Sequence, residues 1–149
     1  MPMHRGSVLI IAAAAVAAGL FVHALIVPAS IVAAQSANRV FELRTYTAPE
    51  GKLDALNARF RDHTLGLFTK HGITNIGYWT PQDAPTSQNT LVYLIAHPSR
   101  EAAKKSWAAF QADPDWVKAR TASEVNGRLT VQGGVVSVFL TPTDYSPMK

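Results

Sequence analysis

The sequence predicts an α+β domain built on one antiparallel sheet of four strands, and three features of the chain support this prediction. Four stretches have strand-like patterns, at residues 40–46, 73–79, 90–96 and 135–140. Two regions with helical spacing lie between the first and second strands and between the third and fourth. Gly, Pro and Asn residues mark most of the boundaries. The order is β-α-β-β-α-β, the split β-α-β arrangement of ferredoxin-like folds, with helices on one face of the sheet.

The first strand alternates strictly, so its two faces differ in character. One face suits a packed core and carries Phe41, Leu43 and Thr45. The other face carries a carboxylate, a guanidinium and a phenol in a row, from Glu42, Arg44 and Tyr46, after the apolar Val40. A strand in a one-sided sheet is covered on one face only. The pattern therefore predicts that the polar row meets water, a partner or a pocket.

The first helix is predicted over residues 51–71, where apolar residues recur every three or four positions and Gly72 follows as a stop signal. Ser99 is the expected N-cap of the second helix, and Asp113 with Pro114 marks a further helix start. Residues 90–96 are apolar on both faces, which is typical of a central strand. Residues 128–132 are a candidate for one more short strand.

The N-terminal residues 1–34 have the pattern of a secretory signal peptide. Arg5 supplies a short positive region, residues 8–27 carry no charge, and Pro28 is followed by small residues. An uncleaved membrane anchor is the alternative, because about 20 apolar residues can span a bilayer. In both cases we expect an exported domain, periplasmic or secreted, with the membrane as a partner only if the segment is retained.

The cleavage site is predicted after Ala34. Val32 and Ala34 fit positions −3 and −1 of a signal-peptidase site, so the mature chain would be residues 35–149, starting at Gln35. A second solution starts the mature chain at Ala37.

Composition argues against several classes of function. Without Arg5, the mature chain has 13 Lys and Arg against 10 Asp and Glu, and the basic residues are scattered. Nucleic acid is therefore not an expected partner, because its binding needs a concentrated basic face. The chain has no cysteine. The histidines of the mature chain, His63, His71 and His97, have no metal-ligand spacing, so neither a metal site nor a cofactor is expected.

One face of the predicted sheet has no helices and would carry apolar side chains. An apolar face of that size normally finds a partner. Two such sheets placed face to face form a dimeric α/β barrel. We therefore expect a homodimer, with a pocket between each sheet and its helices or inside the barrel.

Four segments together resemble the NIPSNAP family. They are residues 41–46 (Phe-Glu-Leu-Arg-Thr-Tyr), 77–79 (Gly-Tyr-Trp), 113–116 (Asp-Pro-Asp-Trp) and 142–147 (Pro-Thr-Asp-Tyr-Ser-Pro). The resemblance implies a NIPSNAP-like domain over residues 35–149, with a core at 40–141 and a dimeric α/β-barrel fold. It implies little about chemistry, because the family has no settled activity. Where the family's third strand tends to end in an aromatic before a Glu-Ser pair, this chain has His97-Pro98-Ser99.

Glu42 and Arg44 are the first candidate site residues, because they are neighbours on one face of a strand. Arg44 could hold a carboxylate or phosphate that Glu42 helps to orient. The competing interpretation is a structural ion pair in the sheet or across the dimer interface. Tyr46 and Tyr93 are candidate hydrogen-bond donors to the same ligand, and Trp79 is a candidate pocket wall.

His63 is the candidate catalytic base, because it falls on the helix stripe predicted to face the sheet. The competing interpretation is a half-buried histidine bonded to a backbone carbonyl. The leading functional hypothesis is an exported homodimer that binds a small organic molecule or a partner. The alternative is a cofactor-independent monooxygenase, lyase or isomerase that uses His63 as base and Arg44 as anion clamp.

Overall fold

The structure is a computed structural model that describes residues 39–149. The predicted signal peptide or anchor and the cleavage site after Ala34 lie outside the described residues and stay predictions. Within residues 39–149, no helix has the length and apolar character that a bilayer span requires.

Four strands and three helices make up the described part of the chain. The strands are β1 (Val40–Thr47), β2 (Thr74–Trp79), β3 (Thr90–His97) and β4 (Val135–Leu140). The helices are α1 (Leu53–Arg59, continuing through Phe60–Thr64 and Leu65–Lys70), α2 (Arg100–Ala112) and α3 (Pro114–Ser123). The strands form one sheet in the order β2-β3-β1-β4, and all neighbours are antiparallel. The α+β, ferredoxin-like prediction is confirmed.

The middle of α1, Phe60–Thr64, is a π-helical turn rather than α-helix. The N–H of Leu65 bonds to the carbonyl of Phe60, five residues back, and the Thr64 hydroxyl donates to the carbonyl of Arg59 at 3.2 Å. The hydroxyl thus satisfies a carbonyl beside the widened turn. Single π turns of this kind occur often at functional sites.

The predicted short strand within residues 128–132 is wrong. This segment forms no strand, and its one backbone bond to β1 joins the N–H of Val131 to the carbonyl of Thr47 at 2.9 Å. Leu129 is buried in the core cluster. The apolar residue that suggested a strand, Leu129, therefore packs a turn against the core.

The two faces of β1 are reversed relative to the sequence prediction. Glu42 and Tyr46 contact side chains of α2 and α1, so the polar row lies under the helices. Leu43 and Thr45 lie on the open face, opposite Val138 and Val136 of β4 in the antiparallel register. Alternation identifies two faces but does not say which one the helices cover. The prediction failed because the polar groups of the covered face satisfy one another, as described below.

The core between the sheet and the helices is rich in aromatic rings. Phe60 and Phe68 of α1 pack edge-on against each other at 6.3 Å, and Phe68 packs against Phe110 of α2 at 4.9 Å. Phe110 in turn lies 4.5 Å from Trp116 of α3. A chain of rings therefore links all three helices, and Tyr93, which is fully buried, joins it to the sheet.

Candidate functional site

Glu42 is a buried carboxylate with four hydrogen bonds. Its side chain is 1% exposed. Each of its oxygens accepts two bonds, from groups supplied by β1 itself, by its two neighbours β3 and β4, and by α2. They are Arg44 Nη1 at 2.6 Å and Ser137 Oγ at 2.6 Å on Oε1, and Trp107 Nε1 at 2.8 Å and His97 Nε2 at 3.0 Å on Oε2.

These bonds decide the charge state of Glu42. Burial alone would raise the pKa of this carboxyl, but the hydrogen bonds from His97, Ser137, Trp107 and Arg44 outweigh burial and lower the pKa to about 2. Because a carboxylate only accepts hydrogen bonds, Nε2 of His97 must carry its proton. The carboxylate is therefore charged and fully engaged by protein groups.

Arg44 lies against aromatic rings beside this carboxylate. Its guanidinium carbon is 4.4 Å from the centroid of Trp107 and 5.5 Å from that of Tyr46. Nη1 donates to Glu42, and Nη2 donates to the hydroxyl of Tyr46 at 3.3 Å. Such a planar, stacked guanidinium is held rigidly, and lysine could not reproduce it.

Tyr46 receives hydrogen bonds from two sides. Besides Arg44, the hydroxyl of Tyr93 donates to the hydroxyl of Tyr46 at 3.1 Å. The two rings pack edge-on at 5.3 Å, and Tyr78 stacks on Tyr93 at 5.4 Å. Burial raises the pKa of both Tyr93 and Tyr78, so these phenols stay protonated. The proton of Tyr46 has no acceptor among the described residues.

A cavity of about 190 Å³ lies next to Tyr46, between the sheet and the helices, and we call it the helix–sheet cavity. Its lining mixes aromatic residues with polar and charged ones and combines residues of β1, β4, all three helices and the segment after α3. These residues are Tyr46, Arg59, Phe60, Thr64, Phe68, Phe110, Trp116, Arg120, Glu124, Arg128, Thr130 and Val135. Phe60 and Thr64 belong to the π turn, so that turn helps to shape the cavity.

Arg59 is the buried cation of this cavity and is only 5% exposed. Nη1 makes both of its side-chain hydrogen bonds, to Glu124 at 2.9 Å and to Ser123 at 3.5 Å. The guanidinium carbon lies 5.2 Å from the centroid of Trp116. Its Nε is buried and makes no hydrogen bond among residues 39–149. An unsatisfied buried donor of this kind is rare in proteins.

The structure brings together four of the predicted site residues. Glu42, Arg44, Tyr46 and Tyr93 form one connected row of hydrogen bonds, and Tyr46, between Arg44 and Tyr93, lines the helix–sheet cavity. The predicted neighbourhood of Glu42 and Arg44 is thus present as a direct ion pair of 2.6 Å.

Trp79 is not part of this arrangement. Trp79 pairs with Val92, its side chain lies on the open face of the sheet, and the residue is 53% exposed. The indole lies over Gly77, where an added Cβ would come within 2.5 Å of the ring. Trp79 could wall a cavity only between two sheets.

The predicted placement of His63 is wrong. His63 is exposed and lines a shallow groove between α1 and α3, with Asp62 and Ala122 nearby, instead of facing the sheet. The π turn inserts extra rotation into α1 after Phe60. The regular 3.6-residue wheel, from which the prediction came, therefore does not apply at this position.

Sequence reasoning missed the other partners of Glu42 and the charged residues of the cavity. His97, Trp107 and Ser137 complete the shell of Glu42, and the charged residues that line the cavity are Arg59, Arg120, Glu124 and Arg128. His97 stands where the family pattern tends to have an aromatic, and that departure was the one available signal. Within residues 39–149, no three His, Asp or Glu side chains lie close enough to hold a metal ion.

Solved structures similar to this chain share its fold. A NIPSNAP family protein with unknown function from Agrobacterium tumefaciens is 21% identical, with a TM-score of 0.64 over 76% of this chain and 96% of its own. A NIPSNAP-like domain protein from Burkholderia xenovorans is 20% identical, with a TM-score of 0.62 over 74% and 90%. SnoaB, a cofactor-independent oxygenase from Streptomyces nogalater, is 14% identical, with a TM-score of 0.50 over 74% and 99%.

Likeness at these identities is evidence of the fold alone. No curated protein matches the chain significantly. The NIPSNAP family model, in contrast, matches residues 41–147, from the second residue of β1 to beyond the end of β4. That match takes in the buried row of β1, every helix and the whole sheet except Val40, and with it the chain belongs to the NIPSNAP family.

Proposed function

We propose that this NIPSNAP protein is an exported homodimer that binds a small organic molecule in the helix–sheet cavity. The observation that carries the proposal is the cavity itself, which is lined by three helices and the sheet and adjoins a rigid polar row. Most ligand sites combine an apolar, aromatic lining with a few fixed polar groups. Tyr46, Arg59 and the π turn supply those groups here.

The volume limits the ligand to a small molecule. At about 190 Å³, the cavity is below the roughly 300–1,000 Å³ of pockets that hold drug-sized ligands. The polar row is preorganised, because Glu42 fixes Arg44 and Arg44 fixes the hydroxyl of Tyr46. Preorganised groups bind a ligand with little further loss of entropy.

Export is supported by sequence alone. Residues 1–34 carry the positive start, the uncharged stretch and the small-residue cleavage site of a signal peptide. The chain also lacks cysteine, so folding outside the cytoplasm would not depend on disulfide formation.

Dimerisation is supported by the open face of the sheet. Val136, Val138 and Leu140 of β4 and Trp79 of β2 are all at least 40% exposed on this face. The half-buried Leu43 of β1 and Val92 and Leu94 of β3 lie between them on the same face, and we call this apolar surface the open sheet face. Contiguous apolar surfaces of this kind mark interaction sites in soluble proteins.

The alternative of cofactor-independent catalysis by His63 and Arg44 gains no support from the geometry. A base must reach the proton that it removes, directly or through one water. His63 lies in the exposed groove between α1 and α3, and Arg44 lies under Trp107 on the sheet. No substrate small enough for the helix–sheet cavity would contact both side chains.

Native mass spectrometry of the protein expressed from its full-length gene tests the proposal. We expect a dimer whose subunit mass starts at Gln35 and which carries a reproducible additional small mass. The Thr130→Trp variant places an indole in the cavity lining and should lose that mass. Gln132→Trp is the matched control, because Gln132 is exposed on the same segment and outside the lining.

Each part of the proposal can fail separately. A subunit mass that begins at Met1 would contradict cleavage, and a monomer would contradict dimerisation. An additional mass that survives Thr130→Trp, in a variant with wild-type circular dichroism, would place the ligand elsewhere. A protein that is exported, purified under mild conditions and found to carry no additional mass would contradict ligand binding.

A further inference from the structure

We propose that the helix–sheet cavity selects an organic anion with a flat aromatic body, such as a small aromatic carboxylate. Arg120 and Arg128 bind its carboxylate, and the aromatic lining binds its ring. This inference rests on the proposed function, since it concerns the ligand of the same cavity. Charge, hydrogen-bond chemistry and shape each point to this class of ligand.

The charges that line the cavity do not balance. Three arginines, Arg59, Arg120 and Arg128, line the cavity together with one acidic residue, Glu124. Glu124 is already paired with Arg59 at 2.9 Å. The side chains of Arg120 and Arg128 make no hydrogen bond or ion pair among residues 39–149, so two positive charges at the cavity are left for an anion. A guanidinium fork matches the geometry of a carboxylate.

The buried polar groups at the cavity offer donors rather than acceptors. Arg59 is only 5% exposed, and its Nε has no hydrogen-bond partner among the described residues. The hydroxyl of Tyr46 already accepts bonds from Arg44 and Tyr93, and its own proton is free to be donated. A ligand with an acceptor oxygen can take the proton of the Tyr46 hydroxyl, whereas a cation would meet repulsion from Arg59.

The apolar part of the lining is a continuous aromatic wall. From Tyr46 the ring-to-ring distances are 5.8 Å to Phe60, then 6.3 Å to Phe68 and 4.9 Å to Phe110. Trp116 ends the wall, 4.5 Å from Phe110. Aromatic surfaces prefer stacked or edge-on contact with other rings. A planar ring therefore fits this wall better than a flexible aliphatic chain of the same volume.

The position of the two free arginines completes the argument. Arg120 lies in the last turn of α3, and Arg128 follows in the connection to β4. Both are exposed, whereas the aromatic wall is buried behind them. A ligand can thus place its carboxylate at the exposed arginines and its ring inside.

The test measures the binding of benzoate and of its neutral analogue benzamide to the protein expressed from its full-length gene. Calorimetry and the fluorescence of the protein's tryptophans, one of which (Trp116) lines the cavity, report binding independently. We expect benzoate to bind roughly tenfold or more tighter than benzamide, because hydrogen bonds to a charged group are the stronger ones. The double variant R120Q/R128Q should lose this preference, so that it binds benzoate no tighter than benzamide.

Arg61→Gln is the matched control. Arg61 is an exposed arginine of α1 that does not line the helix–sheet cavity. Its substitution removes one positive charge, as each of the single variants Arg120→Gln and Arg128→Gln does, and unlike them it should leave benzoate binding at the wild-type value. If Arg61→Gln weakens benzoate as much as R120Q/R128Q does, the effect is one of net charge and the proposal is overturned.

The remaining outcomes separate this inference from the proposed function. If benzamide binds as well as benzoate, and Thr130→Trp abolishes both, the cavity binds small molecules but does not select anions. If neither probe binds, the selection of aromatic anions is overturned, and the native mass measurement alone decides the proposed function. If both bind despite Thr130→Trp, the probes occupy another site and both proposals fail.

Discussion

At the scale of single residues, the molecule depends on one buried carboxylate and its partners. Glu42 is held between Arg44 of its own strand, His97 of β3, Ser137 of β4 and Trp107 of α2. A buried charge is tolerated only when it is paired and fully hydrogen-bonded. Glu42 meets both conditions. It also fixes the guanidinium of Arg44, which in turn donates to the hydroxyl of Tyr46 at the cavity.

The pH dependence of stability tests this role. The pKa of Glu42 is about 2 in the folded protein and 4.5 for a free glutamate side chain. Since the folded-state pKa is lowered, the stabilisation is complete above about pH 5 and is lost as the pH falls towards 2. The difference of pKa corresponds to about 3 kcal/mol at neutral pH. We expect Glu42→Gln to reduce the free energy of unfolding by about that amount at pH 7, measured with urea.

The difference between wild type and Glu42→Gln should then shrink as the pH is lowered from about 5 to about 2. Glu50→Gln is the control, because Glu50 is exposed and makes no hydrogen bond with its side chain among the described residues. Its unfolding free energy should follow that of the wild type at every pH. A Glu42→Gln difference that stays constant across this window would show that Glu42 is not the titrating group.

The sequence identified Glu42 and Arg44 as a pair but placed them on the wrong face. Their separation of two residues is a local property of a strand, and a sequence displays it directly. The groups that make burial of Glu42 acceptable lie 55, 65 and 95 residues away. No local sequence pattern connects these groups to Glu42. From the sequence alone, the charged row of β1 therefore looks like a row that is exposed to solvent.

At the scale of secondary-structure elements, Phe110 joins the three helices. Its ring lies 4.9 Å from Phe68 of α1, 4.5 Å from Trp116 of α3 and 5.7 Å from Trp107 of its own helix. The side chain is 3% exposed and also lines the helix–sheet cavity. The packing of the helices and the shape of the cavity therefore depend on the same residue.

We expect Phe110→Ala to lower the free energy of unfolding by roughly 3–5 kcal/mol, because it removes buried ring surface and leaves a void between three helices. Urea denaturation followed by circular dichroism measures the change. Gln111→Ala, at the next and exposed position, should alter stability by about 0.5 kcal/mol or less. A loss below about 1 kcal/mol for Phe110→Ala would mean that the helices repack without this ring.

The elements themselves were predictable because periodicity and capping are local. Ser99 does accept a bond from the N–H of Ala102, and Asp113 accepts one from that of Asp115, as their N-cap roles require. The π turn in α1 was not predictable in the same way. It depends on a widened turn around Phe60 and Thr64 that gives no distinct sequence pattern, and it displaced His63 from its expected face.

At the scale of the whole molecule, none of the three helices covers the open sheet face, and only its end at Phe41 is buried, beside the C-terminal segment. Val136, Val138 and Leu140 project from β4 on this face, opposite Thr45, Leu43 and Phe41 of β1. Aliphatic side chains at every second position of an exposed strand cost solubility unless something covers them. The helices bury the polar row instead, so the apolar row is the surface available to a second copy.

The dimer prediction follows from this surface. Val138 is 48% exposed near the middle of β4, and in a face-to-face dimer it would be buried. Val138→Glu would then place an unpaired carboxylate in each half of the interface, since the symmetry of a homodimer repeats every substitution. We expect dimerisation to weaken roughly a hundredfold or more, measured by sedimentation at several protein concentrations.

Val125→Glu is the matched control for charge and side-chain change. Val125 is 79% exposed and lies after α3, away from the sheet. The Val125→Glu variant should dimerise like the wild type. Because Val138 points away from the helix–sheet cavity, monomeric Val138→Glu should keep its circular dichroism spectrum. A wild type that stays monomeric at high concentration, or a Val138→Glu variant that dimerises normally, would show that this apolar face is not where two copies meet.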